Sequence, residues 1–200
     1  MANGGSRVLA GAIVLAGCGG GGDEASPPPP AFDRSDFGAL SALAPATDLP
    51  MRGGARYAGG FVADIRHADV TPSGRIDGEL TLDLDFADRN VTLPIEGRLE
   101  RISGEFLGQA VAIDTLPLVP GAGQLALTRE GAAMRGEVTA GFGDDLALAG
   151  ERRRLDIDIE SPLRGPGGRA LAGPVSGTIL TAPFTDQSHV LTGQFHATSD

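Results

Sequence analysis

The stretch ELTLDLDF, residues 79–86, decides the fold, because apolar and polar residues alternate in it at every position. Alternation with a period of two places all the apolar side chains on one face of a β-strand and all the polar ones on the other. Residues 155–160, LDIDIE, repeat the pattern with one Leu and two Ile against three acids. Both segments therefore predict strands with one buried and one solvated face.

Weaker alternation continues through most of the chain after residue 51. Turn-forming Gly, Pro, Asp and Asn separate about ten candidate strands. They are residues 57–66, 79–86, 90–96, 103–113, 124–129, 134–142, 144–148, 155–160, 175–181 and 189–197. Successive short strands without helices between them pair antiparallel, as a barrel or a sandwich. Because the connections are of hairpin length, we predict an all-β fold: a small antiparallel up-and-down barrel of about eight strands, with excess candidates merged or outside it.

A short helix is predicted ahead of the barrel, over residues 33–44. Asp33 or Ser35 could cap its N-terminus. Its apolar residues Phe37, Leu40 and Ala44 would share one face, and two prolines follow it. No other segment has a convincing helical period.

The N-terminus has the pattern of an export signal. The apolar run of residues 8–16 is shorter than the roughly 20 residues needed to span a bilayer, but it suits the core of a signal peptide. The run ends in LAGC, residues 15–18, which resembles the lipobox of bacterial lipoproteins. The resemblance implies that residues 1–17 are removed and that Cys18 is acylated on sulfur, which makes the membrane the first expected partner. Gly19 is compatible with sorting to the outer membrane.

The predicted mature chain has two parts. Residues 18–50 combine the lipid anchor, a tract of glycines and four successive prolines, and the short helix, which suits a tether. Residues 51–200 form the β-barrel domain. Cys18 is the only cysteine, so an intramolecular disulfide is excluded.

The charge of the chain restricts the classes of partner that it could bind. The formal net charge is −10, and lysine is absent from the sequence. An acidic chain without a basic patch argues against nucleic acid, whose binding relies on neutralising phosphates, and against a polybasic contact with anionic lipid.

The sequence provides no recognisable catalytic set. A Gly-x-Ser-x-Gly elbow is absent, and Cys18 is assigned to the anchor. The acid pairs Asp83/Asp85 and Asp156/Asp158 lie opposite apolar stripes, where solvated strand surface is the expected role. We therefore expect no catalytic residues and no enzyme activity.

The sequence has three histidines that could act as ligands: His67, His189 and His196. If His189 and His196 share a strand, their odd separation places them on opposite faces, so they cannot chelate one ion together. We expect no metal site and no cofactor, and the three histidines stay weak candidates for binding haem. The triplet Arg152-Arg153-Arg154 could contact a phosphate or an acidic partner, although a charged strand edge that prevents aggregation explains it equally simply.

Four segments resemble the barrel strands of proteins related to transferrin-binding protein B. They are GGARYAG (53–59), LDLDF (82–86), LRGP (163–166) with VSGTI (175–179), and LTGQF (191–195). The resemblance implies an eight-stranded barrel on an outer-membrane lipoprotein, surface-exposed or facing the periplasm. It does not imply transferrin binding, since the chain has room for a single barrel. The sequence departs from the family pattern at residues 87–90, which lack glycine, and at His196-Ala197.

The expected function is that of a binding lipoprotein whose loops, at one end of the barrel, contact a protein or a small ligand. Two alternatives stay open. The barrel could carry haem or an apolar small ligand inside it, or the protein could be a structural envelope lipoprotein without a ligand.

Overall fold

The computed structural model of the chain describes residues 32–184 and 186–199, and their side chains except those of Asp186 and Gln187. Within these ranges the protein consists of ten antiparallel strands and one α-helix, so the all-β prediction is confirmed. The predictions for the signal peptide, Cys18 and the Gly/Pro tether fall on residues 1–31, which lie outside the described residues.

The elements follow one another along the chain in this order: α1 Arg34–Ser41, β1 Arg52–His67, β2 Pro72–Ala87, β3 Val91–Pro94, β4 Glu96–Phe106, β5 Gln109–Pro117, β6 Gln124–Glu130, β7 Ala133–Leu148, β8 Glu151–Pro162, β9 Ala170–Thr181 and β10 Asp186–Ser199. A single 3₁₀ turn, Pro166–Gly168, precedes β9.

The ten strands form one sheet in the order β3-β6-β7-β8-β9-β10-β1-β2-β4-β5, curled into a half-barrel. The prediction of about eight strands is wrong, because every candidate segment stays in the sheet. Residues 134–148 join into the single strand β7, but the turn at 107–108 divides the predicted strand 103–113 into β4 and β5. β3 does not pair with β2 or β4, its neighbours in the sequence; it pairs with β6 at the far edge of the sheet.

The apolar side of each alternating segment faces the interior of the curl. In β2, Leu80, Leu82, Leu84 and Phe86 are between 0 and 6% exposed, whereas the acids between them are solvent-exposed. β8 behaves in the same way from residue 155 to residue 159. Burial of these aliphatic stripes supplies the main driving force for folding.

Helix α1 lies against β9 and β10 on the outside of the sheet. The Asp33 carboxylate caps it by accepting hydrogen bonds from the backbone N–H groups of Ser35 (2.7 Å) and Asp36 (3.2 Å), which confirms the predicted cap. The helix ends at Ser41, short of the predicted Ala44, and has no fully buried residue. Within the described ranges, no helix has both the length and the apolar character needed to cross a membrane.

The two ends of the half-barrel differ. Four hairpins meet at one end, which we call the hairpin end: residues 68–71, 107–108, 149–150 and 182–184. The opposite end is covered by residues 44–50, whose Leu49 is 5% exposed, and by the turn before β9. The Tyr57 hydroxyl donates a 2.6 Å hydrogen bond to the Gly168 carbonyl and so joins β1 to that turn.

An opening separates β5 from β7 in the half of the molecule nearer the hairpins. At mid-height the opening is closed, because the Val119 N–H donates to the Gly141 carbonyl (2.8 Å) and the Gly141 N–H to the Ala122 carbonyl (3.1 Å). Above that level, within the described residues, β5 pairs only with β4, and residues 143–148 of β7 pair only with β8. The result is the seam groove, about 580 Å³, between residues 110–115 and residues 146–149.

Candidate ligand-binding site at the hairpin end

Five side chains meet inside the half-barrel, just below the hairpins. We call them the hairpin-end cluster: His67, Phe106, Glu151, Arg153 and His189. Strand register brings them together, since His67 lies directly opposite His189 in the β1–β10 pair. Four different strands, distant from one another in the sequence, thus contribute to one small volume.

Arg153 is the unusual member of the cluster. It is only 5% exposed, and its guanidinium carbon lies 4.8 Å from the centroid of the Phe106 ring. Nη2 donates to Glu151 Oε2 at 2.6 Å. Nε and Nη1 are buried, and neither forms a hydrogen bond within the described part of the chain. Burial of polar donors without partners is costly, and buried donors are normally satisfied.

His189 lies beside this cation and is 5% exposed. Its ring meets the Phe106 ring edge-on at 4.8 Å and the His67 ring at 5.2 Å. Its Nδ1 lies 3.0 Å from Ser188 Oγ, which in turn donates to the Ile179 carbonyl at 2.8 Å. The Ser188 proton is used on that carbonyl, so we assign the His189 proton to Nδ1. Burial, followed by the charges of His67 and Arg153, lowers the pKa of His189, which keeps its ring neutral at pH 7.

The three candidate histidines do not converge on one point. His67 is half exposed, and its Nδ1 lies 3.1 Å from Asp69 Oδ1. His196 faces the outside of the sheet, where Phe32 covers it at a ring distance of 5.3 Å and the Asp33 N–H donates to its Nε2 at 3.0 Å. The prediction that His189 and His196 take opposite faces is confirmed. The described residues contain no group of three His, Cys, Asp or Glu side chains placed to hold a metal ion.

The hairpin tips carry backbone strain. Each of the four hairpins has one non-glycine residue in the left-handed region: Val70 (φ 68°), Leu107 (50°), Ala149 (50°) and Phe184 (67°). This conformation is uncommon for any non-glycine residue and an outlier for β-branched Val. Val70 and Leu107 are also 71% and 47% exposed. Strained backbone positions of this kind often occur at functional sites.

The acid pairs lie on the outside of the sheet, away from the cluster. Asp83 and Asp85 are exposed on β2. Asp156 is paired with Arg154 on the same strand, with Nε 3.0 Å from its Oδ1. These positions follow the sequence expectation of solvated strand surface.

The arginine triplet does not form a strand edge, because β8 lies between β7 and β9 inside the sheet. Arg152 and Arg154 face outward, where both pair with Asp145. Arg153 points inward instead. The sequence analysis named the triplet but missed the inward direction of Arg153, although the signal was present: alternation through Leu155, Ile157 and Ile159 places position 153 on the same inner face.

Neither family models nor the curated proteins contain a match to this sequence. The class that the structure defines is therefore an antiparallel β half-barrel with a polar cluster at its hairpin end. The likeness to transferrin-binding protein B stays a prediction based on the four quoted segments.

Proposed function

We propose that the protein is a membrane-anchored binding lipoprotein. It is held through a lipid on Cys18 and presents its hairpin end to a protein or small ligand, at the cell surface or in the periplasm. The observation that carries the proposal is the composition of that end: strained, exposed apolar tips above a buried arginine with unpartnered donors. The proposed fold of the whole domain is an up-and-down barrel of the transferrin-binding protein B type.

The hairpins that carry these tips connect strands of one continuous sheet. Loops on a rigid scaffold are the usual place for binding residues.

The filled interior favours this proposal over a carrier that encloses haem or an apolar ligand. A Cβ added at Gly78 would lie 2.8 Å from Phe61 Cε1, and one added at Gly97 would lie 2.6 Å from Leu82 Cδ2. Side chains occupy the volume that an enclosed ligand would need. A purely structural lipoprotein, in turn, has no use for exposed apolar tips or for unpartnered donors.

The anchor is tested by feeding cells a clickable palmitate analogue. The wild-type chain should become labelled, and Cys18→Ala should not. Protease shaving of intact cells then separates the two locations, because peptides from residues 52–200 are released only from a surface-exposed domain. Equal labelling of both proteins would remove the anchor from the proposal.

Binding at the hairpin end is tested by photo-cross-linking in intact cells. A photoreactive residue is placed at Val70 or Leu107, and the matched controls are Met51 (60% exposed) and Leu43 (37%), which are apolar positions away from the hairpins. We expect discrete adducts from the two hairpin positions and none from the controls. The same adducts from all four positions, or none from Val70 and Leu107, would contradict the proposal.

A further inference from the structure

We infer that the seam groove binds the C-terminal end of an extended polypeptide, whose terminal carboxylate pairs with Arg153. The inference rests on the proposed function, because it names the ligand class for the same end of the molecule.

The position of Arg153 relative to the groove is the first argument. Its guanidinium extends from β8 to the Phe106 ring on β4. β7 and β5 are the next strands after β8 and β4 on the two sides of the opening. The contact between Arg153 and Phe106 therefore spans the interior of the half-barrel directly behind the groove. Leu146, which lines the groove, is the direct register partner of Arg153.

The donors of Arg153 define the anion. Nε carries one proton and Nη1 carries two, and none of them is hydrogen-bonded within the described residues. The planar guanidinium matches a carboxylate, and charge-assisted hydrogen bonds of this kind are strong. Glu151 already lies 2.6 Å from Nη2, so a dianion such as phosphate meets more repulsion than a single carboxylate does.

The groove itself suits an extended peptide. Both of its rims are strand edges whose outward backbone groups lack a strand partner in the described structure, and such edges accept an added strand through main-chain hydrogen bonds. The lining side chains are small or aliphatic, and Asp114 is the only charged one among them. Six residues of β5, 110–115, face the groove, which suits a peptide of about five or six residues at the rise of a strand.

The direction of the bound strand follows from the topology. β5 runs away from the hairpin end, whereas Arg153 lies close to that end. A peptide whose C-terminus reaches Arg153 must run toward the hairpins, antiparallel to β5. It therefore adds antiparallel to β5 and parallel to β7, which runs toward the hairpins.

The test uses the full chain carrying Cys18→Ser, which cannot be acylated, and an acetylated hexapeptide of alternating Val and Thr. The peptide is prepared with a free C-terminal carboxylate, with a C-terminal amide, and with alternate backbone nitrogens methylated. Titration calorimetry gives the affinities, and the ¹⁵N–¹H signal of Arg153 Nε reports direct contact in the wild-type chain. Arg152→Gln, on the outer face of β8, is the matched control for Arg153→Gln.

We expect the free acid to bind and to shift the Arg153 Nε signal. The amide should bind at least ten-fold more weakly, since it loses the charge-assisted hydrogen bonds, and the methylated peptide should not bind. Arg153→Gln should abolish the preference for the acid, and Arg152→Gln should preserve it. The wild-type Nε signal keeps the test valid if Arg153→Gln does not fold.

Equal affinities for acid and amide would overturn the inference, as would failure of the free acid to bind. Decanoate is included as a small amphipathic carboxylate, and its binding in place of the peptide would overturn the peptide as occupant. In each of these cases adducts from Val70 and Leu107 would still support binding at the hairpin end, so the two proposals fail separately.

Discussion

The hydroxyl of Tyr57 is a single group whose removal tests the covered end of the half-barrel. Tyr57 is 1% exposed, and its hydroxyl donates to the carbonyl of the buried Gly168 at 2.6 Å. Tyr57→Phe keeps the ring but leaves that carbonyl without this donor. An unsatisfied buried acceptor costs about 1–3 kcal/mol. For a domain of this size, that loss corresponds to a fall in Tm of about 2–10 °C.

The same environment changes the acidity of the tyrosine. Burial raises the pKa of Tyr57 to about 12, and a hydrogen bond with Ser199 opposes the shift. The unfolded chain ionises near pH 10 and the folded one does not. Stability from this group is therefore complete below pH 10 and is lost as the pH rises from about 10 towards 12.

Two assays check this prediction. Thermal unfolding followed by circular dichroism compares the wild type with Tyr57→Phe, and Ser41→Ala is the matched control, because it removes an exposed hydroxyl that donates to the Gly38 carbonyl. Absorbance at about 295 nm follows ionisation directly, since Tyr57 is the only tyrosine and tryptophan is absent. An unchanged Tm in Tyr57→Phe, or ionisation near pH 10 in the folded protein, would refute the reasoning.

Three further predictions concern backbone packing, a turn and pH. Gly193→Ala should destabilise the fold by about 3 kcal/mol, because its Cβ would lie 1.9 Å from the Val62 carbonyl oxygen. Gly38→Ala lies in open surroundings on the helix and should stabilise the fold by about 0.5–1 kcal/mol. Urea titrations measure both changes. Ala149→Asn should raise stability by about 0.5 kcal/mol, since asparagine tolerates the left-handed region; a lower urea midpoint would contradict this. Burial lowers the pKa of His196, so Tm should fall as the pH drops below about 6.5, and His196→Gln should reduce that fall.

The strands were predictable because their signal is local. Period-two alternation identified the buried faces of β2 and β8 correctly, and the Asp33 cap was readable from its position before the helix. The division between β4 and β5 was not readable. The turn there is Leu107-Gly108, and its first residue lacks the Asn or Asp that usually marks such a hairpin.

The candidate site was less accessible to sequence reasoning, because its members are distant in the chain. Phe106 and Arg153 meet only after the four strands between their own strands, β9, β10, β1 and β2, have set the register. The pairing of β3 with β6 at the far edge of the sheet is likewise a long-range contact, which a local sequence pattern cannot predict. Only the inward direction of Arg153 was encoded locally, by its two-residue spacing from Leu155.

The hairpin end departs from the rules that the rest of the molecule follows, and the departures coincide in space. Elsewhere the inner face is mainly aliphatic and aromatic, but Arg153 places a cation there. Most other positive-φ positions are glycines, but each hairpin tip adds a residue with a side chain. The ion pair between Arg153 and Glu151, whose glutamate side chain is 57% exposed, contributes little to stability compared with apolar packing. Stability alone favours glycine or asparagine at the tips and leucine at position 153, and the proposed binding function accounts for both departures.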